Sequence, residues 1–180
     1  MLTAEQEQQL VQCIVAGDKE RFADVVREHQ ETVANLCYRL VGNKLDVEEV
    51  CQQVFVELYG ALPRFRHQSR LSTFIYRITV NVVSKMLKHE KRFLPYETEM
   101  EGIYEGIEQT REDDMVKEEQ RRRLLEAIGQ LKYEQRTALV LFSFKELSYN
   151  DIADVMQVSL SKVESLIFRA KKNLQKIMTT

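Results

Sequence analysis

Four cationic or hydrogen-bonding side chains recur at spacings of three, four and three along one stretch of the sequence: Lys162, Ser165, Arg169 and Lys172. Such spacing places side chains on one side of an α-helix. Ammonium and guanidinium groups bind phosphates, and hydroxyl and guanidinium groups also hydrogen-bond to the edges of bases. These residues therefore predict DNA binding. The alternative is an α-helical hairpin whose basic face is simply solvated.

A second stripe combines an aromatic ring, an amide and three cations at spacings of three, four, four and three: Phe74, Arg77, Asn81, Lys85 and Lys88. The apolar positions of the same stretch are expected to face the core: Leu71, Ile75, Ile78 and Val82. Residues 61–92 hold eight basic side chains and one acidic side chain. Two separate basic surfaces indicate a protein that holds a polyanion at two places. Ordinary helix surface is again the alternative.

The sequence lacks the patterns of an enzyme or a metalloprotein. Its three histidines, His29, His67 and His89, are scattered and do not have the spacing of metal ligands. It contains no glycine-rich phosphate loop and no nucleophile elbow. We therefore predict no catalytic activity, no bound metal and no cofactor.

The first basic stripe belongs to a pattern typical of a helix-turn-helix. Ser148 and Asp151 have the spacing of a capping box, which starts a short helix at Tyr149. The helical pattern breaks at residues 157–159, and a second helix follows with its own apolar stripe: Val163, Ile167, Ala170 and Leu174. In DNA-binding units of this kind the second helix lies in the major groove.

The start of that second helix has two solutions. Ser159 can cap it, or Ser161 and Glu164 can form a capping box two residues later. Glu164 therefore either caps its own helix, which is the interpretation we favour, or accepts a hydrogen bond from a cytosine.

The whole chain is predicted to be all-α. Among its 180 residues there are six glycines and two prolines, helix-forming residues dominate, and the alternation typical of strands is absent. Apolar residues at intervals of three and four indicate helices over these ranges: about 4–16, 18–42, 45–62, 72–92, from 116 onward, and 134–145.

A change of composition separates two helical blocks. Residues 93–119 hold ten acidic and two basic side chains, together with Pro95, Gly102 and Gly106. Because so acidic a segment does not pack readily, we predict a flexible linker. The chain is then two small helical domains, 1–92 and 120–180, joined by that linker.

Export and membrane insertion are not indicated. The opening residues, MLTAEQEQQL, are polar, and no run of eighteen apolar residues occurs. Cys13, Cys37 and Cys51 lie far apart on predicted helices, so we expect three free, buried thiols. A reducing cytoplasm fits these features.

Three segments, in this order, resemble those of bacterial sigma factors of the extracytoplasmic-function (ECF) group, the small two-domain initiation factors of RNA polymerase. The polymerase-binding helix of that family is similar to LDVEEVCQQVFVELYGALPRFR. The promoter-melting segment is similar to SRLSTFIYRITVNVVSKMLKHEKR, and the helix-turn-helix for the −35 element to LSYNDIADVMQVSLSKVESLIFRAKKNL. The resemblance covers the chain from about Asp18 to Met178 except the linker. It implies a sigma2-like bundle followed by a sigma4-like domain.

The resemblance also implies three sets of site residues. The set implied to bind core polymerase is Glu48, Glu49, Gln52, Gln53 and Val56. The set implied to bind and melt the −10 element is Phe65, Arg66, His67, Ser69, Arg70, Phe74, Arg77, Asn81, Lys85 and Lys88. The set implied to bind the −35 element is Ser161, Lys162, Glu164, Ser165, Phe168, Arg169 and Lys172.

Several positions depart from the family pattern. Phe74 stands where Trp is usual, and Gln53 stands where an acidic residue is more frequent. The other departures are Ser161 for a frequent Gly, Lys132 for a usual Pro, and Glu164 and Leu166 for basic residues. Because Glu164 and Leu166 lie on the predicted recognition helix, these two departures prevent an inference about the promoter sequence.

The function implied is that of a promoter-specificity subunit. It would bind core RNA polymerase through the β′ clamp helices and the β flap, recognise the −35 and −10 elements and help to separate the strands. An anti-sigma factor is a further implied partner. The alternative is an autonomous helix-turn-helix regulator whose N-terminal block serves dimerisation or sensing. The two hypotheses differ in whether residues 46–92 matter for polymerase.

Overall fold

The computed structural model describes residues 3–42, 45–93 and 112–179, and within these ranges it is α-helical with no strand. The all-α prediction is confirmed. The helices are α1 (Ala4–Val15), α2 (Lys19–Val41), α3 (Val47–Ala61), α4 (Leu71–Phe93), α5 (Glu112–Gly129), α6 (Tyr133–Lys145), α7 (Tyr149–Met156) and α8 (Leu160–Thr179). A 3₁₀ turn, Leu62–Arg64, follows α3.

Side-chain caps fix where the first three helices begin. The Thr3 hydroxyl accepts from the Gln6 amide at 3.2 Å, and the Gln6 side chain accepts from the Thr3 amide at 2.8 Å, which completes a capping box. The Asp18 carboxylate accepts from the Arg21 amide at 3.1 Å. Asp46 caps α3 by accepting from two backbone amides. The predicted start of α2 at Asp18 is therefore confirmed.

Helices α1 to α4 form an N-terminal bundle around the apolar stripes that the sequence predicts. The inner positions of α3, Val50, Val54 and Leu58, are fully buried. The four predicted inner positions of α4 are also buried: Leu71, Ile75, Ile78 and Val82. Burial of these stripes is the main stabilising term, and it leaves the opposite faces of α3 and α4 for other uses.

The helix-turn-helix is formed by α7 and α8. The Ser148 hydroxyl accepts from the Asp151 amide at 3.1 Å, as the predicted capping box requires. Gln157 ends α7 in the left-handed conformation, with φ of 55°. The Ser159 hydroxyl then accepts from the Lys162 amide at 3.3 Å, so α8 starts at the earlier of the two possible positions.

Helix α5 begins earlier than the apolar pattern indicates. It starts at Glu112, whereas the helical pattern was expected from about residue 116, so residues 112–119 of the predicted linker are helical. The sequence reads Glu-Asp-Asp at 112–114, a composition typical of the first turn of a helix. Phe93 is likewise the last residue of α4, and the remaining linker residues, 94–111, lie outside the described residues.

The cysteines are free, but they are not all buried. Cys13 is exposed, so the prediction of a buried thiol is wrong there, whereas Cys37 is fully buried and Cys51 is half-buried. The helical period places Cys13 beside the inward-facing Ile14 but on the outer side of α1. A hydrogen bond that the Cys37 thiol donates to Cys51, together with burial, raises the pKa of Cys37, and the same bond lowers the pKa of Cys51.

The N-terminal bundle and helices α5 to α8 pack against each other. Helix α7 lies on α4, and α6 lies on α2. The Tyr133 hydroxyl donates to the Val80 carbonyl at 2.8 Å, and the Arg136 guanidinium donates to the Leu40 carbonyl at 2.6 Å. Buried apolar residues of both groups belong to one continuous cluster. The two expected modules therefore share an interface in this structure.

Candidate nucleic-acid and partner interfaces

The recognition surface lies on α8. Val163, Ile167 and Ala170 are buried, as predicted, and they orient the helix so that the opposite side faces solvent. The exposed members of the predicted set are Ser161, Lys162, Glu164, Phe168, Arg169 and Lys172. Ser165 is half-buried between them. The structure thus brings this set together on one face.

Two residues of this face stand out. Phe168 is 70% exposed, a large apolar side chain without cover inside a cationic surface. Lys162 forms an ion pair with Glu134 of α6, with 3.2 Å between Nζ and Oε2. An exposed aromatic ring suits contact with a thymine methyl group, and the surrounding cations suit phosphates.

The favoured capping role of Glu164 is wrong. Ser159 caps α8 and Leu160 is its first residue, which puts Glu164 in the second turn, beyond the position that a capping box needs. Its carboxylate is exposed on the recognition face. The alternative, a hydrogen bond to a base, remains as a prediction.

A cavity of about 220 Å³ lies between the loop that follows α3 and the first turns of α4. Three cations line it, Arg64, Arg66 and Arg77. Its other lining residues in the bundle are Phe65, Gln68, Ser69, Thr73 and Phe74. Guanidinium groups beside aromatic rings and small polar side chains can bind a base together with its phosphate.

Phe74 is not on the exposed side of α4. It is only 8% exposed, and its ring lies against that of Phe65, which is equally buried, with 4.7 Å between centroids. The His67 ring packs on Phe65 at 4.5 Å, and the Arg77 guanidinium lies 5.2 Å above the Phe74 ring. The prediction that Phe74 belongs to the exposed stripe is wrong because burial of a phenyl ring outweighs its place in that pattern.

The loop before α4 is held in a defined shape. His67 adopts a left-handed conformation, with φ of 55°, which is uncommon for a residue with a side chain. The Leu71 amide at the start of α4 donates to the Glu7 carboxylate of α1 at 3.1 Å. Of the other loop residues in the predicted set, Arg66 and Arg70 are exposed and Ser69 is half-buried. The end of the loop is thus anchored to α1.

The rest of the stripe on α4 points outward. Asn81 and Lys88 are exposed, as predicted. The ammonium group of Lys85 lies 3.0 and 3.1 Å from the two carboxylate oxygens of Glu57 on α3. This exposed ion pair contributes little to stability, yet it links the stripe to the neighbouring helix.

The outer face of α3 is exposed throughout the predicted set: Glu48, Glu49, Gln52, Gln53 and Val56. Val56 is 65% exposed, and Tyr59 beside it is 41% exposed. The Gln52 amide donates to Glu48 at 3.4 Å. An exposed apolar centre inside a polar rim is the usual composition of a protein-binding surface.

Sequence reasoning missed four lining residues of the cavity. Arg64, Gln68 and Thr73 lie in the basic stretch around the predicted loop residues, so a wider window along the sequence would have found them. Asp154 of α7 also lines the cavity. No local signal in the sequence relates Asp154 to a loop more than eighty residues earlier.

Within the described residues, no group of three or more metal-binding side chains occurs. None of the helices that the structure describes is long and apolar enough to cross a membrane.

Comparison with known proteins matches both halves of the chain to regions of one protein family. The family model described as Sigma-70 region 2 matches residues 25–93, and the model described as Sigma-70, region 4 matches residues 121–174. The chain is 36% identical to the RNA polymerase sigma-H factor of Pseudomonas aeruginosa, over 99% of this chain and 96% of that protein. It is 32% identical to the ECF RNA polymerase sigma-E factor of Haemophilus influenzae, over 94% and 93% of the two chains.

Solved structures have a similar fold. The structure of CnrH in complex with the cytosolic domain of CnrY matches with a TM-score of 0.70 at 21% identity, over 98% of both chains. The sigma factor RpoE in complex with the anti-sigma factor NepR from Bartonella quintana matches with a TM-score of 0.64 at 17% identity, over 88% of this chain and 97% of that one.

Proposed function

This chain belongs to the ECF group of the sigma-70 family, and from that premise we propose how its surfaces carry out promoter recognition. It is a sigma factor, which directs core RNA polymerase to promoters and promotes strand separation. The observation that carries this function is the identity of 36% with a sigma factor over nearly the whole of both chains. The proposal assigns one task to each of the three surfaces described above.

The outer face of α3 is the proposed contact with core polymerase. Its apolar centre at Val56 and its polar rim, from Glu48 to Gln53, are exposed and suit the β′ clamp helices. A second contact would join the C-terminal helices to the β flap. Neither contact requires the chain to supply a reactive group.

The arginine-lined cavity is the proposed site for an unstacked base of the −10 element. Extruding a base costs a few kcal/mol, and stacking on an aromatic ring offsets part of that cost. Phe65 and Phe74 supply rings, Arg66 and Arg77 supply cations, and Asn81 extends the surface along α4. Positive charge at 61–92 would hold the separated strand by its phosphates.

The exposed face of α8 is the proposed reader of the −35 element. In this proposal Arg169 and Glu164 hydrogen-bond with bases, and Phe168 makes apolar contact in the major groove. Lys162 and Lys172 bind phosphates. The exposure of all five side chains supports these roles.

The remaining parts of the proposal concern organisation. We assign residues 1–92 and 120–180 to two domains that act at separate promoter elements, joined by residues 93–119. The chain acts in the cytoplasm, has no catalysis of its own and needs no cofactor. An anti-sigma factor is a proposed partner, since RpoE, whose fold is similar, was solved in complex with the anti-sigma factor NepR.

An autonomous helix-turn-helix regulator is not favoured. In such a protein the N-terminal block would serve dimerisation or sensing, and residues 46–92 would not matter for polymerase, whereas the family model Sigma-70 region 2 matches residues 25–93.

Transcription in vitro with purified core polymerase and a library of random promoters tests the proposal. We expect transcripts that depend on this protein and start downstream of two recurring sequence elements. The matched control is core polymerase alone. If the protein bound a DNA site tightly without polymerase and gave no transcripts, the proposal would be overturned.

A further inference from the structure

The first helix contacts both ends of the loop that precedes α4, residues 65–70. Helix α1 (Ala4–Val15) lies before the part of the chain that the region 2 family model matches. It packs on the 3₁₀ turn Leu62–Arg64, which comes directly before the loop. The Glu7 carboxylate of α1 accepts a hydrogen bond at 3.1 Å from the amide of Leu71, which comes directly after the loop. One helix therefore holds the loop at its beginning and at its end.

The sequence of α1 directs Glu7 towards the bundle. Glu7, Val11 and Ile14 follow one another at spacings of four and three, which puts them on one side of the helix. Val11 and Ile14 are buried and Glu7 is half-buried, whereas Glu5 is exposed. The two acidic side chains of α1 thus have different surroundings, although they are only two residues apart.

Helix α4 requires an acceptor from elsewhere because its own sequence does not supply a usual cap. The Arg70 carbonyl accepts from the Phe74 amide at 3.1 Å, which makes Arg70 the N-cap residue of α4. Arginine is not among the residues whose side chains cap helices, which are Ser, Thr, Asp and Asn. Glu7 supplies an acceptor for the Leu71 amide from a position 64 residues earlier. Its negative charge is also favoured at the positive end of the helix dipole.

We propose that Glu7 is a positioning residue for recognition of the −10 element, because it ties the start of α4 to α1 and so fixes the shape of the loop. This inference rests on the proposed function of the arginine-lined cavity. Most of the loop faces that cavity, and the lining residues that it contributes are Phe65, Arg66, Gln68 and Ser69.

The backbone of the loop depends on such an anchor. His67 has φ of 55°, a left-handed conformation that a residue with a side chain adopts only where the surrounding structure holds it there. Anchors at both ends restrict the conformations that the loop can adopt. Loss of the Glu7 contact would release the end of the loop that leads into α4.

Preorganisation of the loop links this contact to base specificity. A loop that already has its binding shape loses little conformational entropy when a strand binds, whereas a released loop must first be ordered. Discrimination between two bases is a difference between two affinities, and it depends on how closely the lining groups fit one base and exclude the other. A released loop should therefore bind the correct base less well and distinguish it less from an incorrect one.

Binding of a single strand to the holoenzyme tests this inference. The probe is a short fluorescent non-template strand that spans the −10 element of a promoter recovered in the transcription experiment. A second strand is changed at one position that recurs in that element. Anisotropy gives the two dissociation constants, and their ratio measures discrimination. Glu7→Ala is expected to lower this ratio by about three- to tenfold, the range for loss of one hydrogen bond that holds the loop.

The ratio separates positioning from a general structural role. A variant that only reduced the amount of folded protein would lower the bound fraction of both strands together and leave the ratio unchanged. Glu7→Gln keeps a side-chain oxygen that can accept from the Leu71 amide, so it should retain the discrimination of the wild type. Glu5→Ala, which removes the exposed carboxylate of the same helix turn, is the matched control and should leave the ratio unchanged.

Hydrogen exchange measures the contact itself. In the full chain, Glu7→Ala should raise the exchange rate of the Leu71 amide about fivefold, because that amide loses its acceptor. Glu5→Ala should not change the rate. An unchanged Leu71 rate in Glu7→Ala would overturn the inference.

The inference and the proposed function fail in different ways. If the wild type and Glu7→Ala discriminate equally between the two strands, Glu7 is not a positioning residue and the cavity keeps its proposed function. If the wild-type holoenzyme transcribes from the promoter but binds both strands equally, the assignment of the cavity is wrong and the inference fails with it.

Discussion

The rings of Phe65 and Phe74 are packed together with their centroids 4.7 Å apart, and this contact joins the loop after α3 to the first turn of α4. Both rings are 8% exposed. They form the inner wall of the cavity and also part of the core of the N-terminal bundle. A residue at this position can therefore affect both DNA binding and folding.

Phe74→Ala is expected to destabilise the protein by about 3 kcal/mol, since truncation of a buried phenylalanine loses its burial and leaves a cavity. Urea unfolding followed by circular dichroism measures the change. Phe168→Ala is the matched control: Phe168 is 70% exposed, and its truncation should change the free energy of unfolding by less than about 0.5 kcal/mol. Equal destabilisation by the two substitutions would contradict the assignment of Phe74 to the core.

Arg169→Ala is expected to weaken holoenzyme binding to a promoter with an intact −35 element by about 1–3 kcal/mol. The reason is loss of a guanidinium contact with a base edge from the exposed face of α8. Competition binding with promoters mutated at single −35 positions measures this loss of binding free energy. The penalty should vanish for one specific base change.

Lys172→Ala is the comparison for Arg169, because it removes a cation from the same face of the same helix. A phosphate contact gives a loss that is uniform across sequences and lowers the salt dependence of binding by about one ion. If Arg169→Ala also gave a uniform loss, its role would be positioning on the phosphate backbone rather than base recognition.

The sequence predicted helices and caps well because both depend on neighbouring residues. Asp18 and Ser148 cap helices where their spacing to the next residues indicates, and the stripe from Leu71 to Val82 is buried as its period requires. Phe74 was misplaced because a stripe defined by charge was extended to an apolar ring. Glu164 was misassigned because two serines compete to start α8, and only the packed structure selects Ser159.

The contact between the two modules was outside the reach of such reasoning. Arg136 reads locally as another cation of a basic domain, yet it is buried against carbonyls of α2 and α5. Asp154 reads as a solvated position of α7 and is exposed, but it also lines a cavity of the N-terminal bundle. Both placements depend on how two separated parts of the chain pack, which no periodicity within either part encodes.

Val56→Glu is expected to weaken binding to core polymerase by about tenfold or more, because it puts a charge at the apolar centre of the proposed contact face on α3. Val56 is 65% exposed, so the fold should tolerate the change. Val15→Glu is the matched control, an exposed valine on α1 outside that face. Fluorescence with labelled core enzyme measures the affinity of each variant. Equal affinities for Val56→Glu and Val15→Glu would show that the contact with core polymerase is not on the outer face of α3.

Asn81→Ala is expected to impair strand opening more than recruitment of polymerase. Asn81 is exposed on α4 and is not among the residues of the proposed contact face on α3, so in the proposal its amide binds a separated strand and is not needed for docking. Loss of one hydrogen bond of about 1 kcal/mol would lower the equilibrium constant for opening about fivefold, and the open fraction about threefold where opening is near balance. Permanganate reactivity of thymines in the melted region measures opening, and gel-shift at low temperature measures recruitment.

Asn35→Ala is the matched control. It truncates an exposed asparagine on α2 and should alter neither strand opening nor recruitment. Unchanged permanganate reactivity in Asn81→Ala would remove Asn81 from the strand-binding surface, while the cavity assignment would stand on its arginines and aromatic rings.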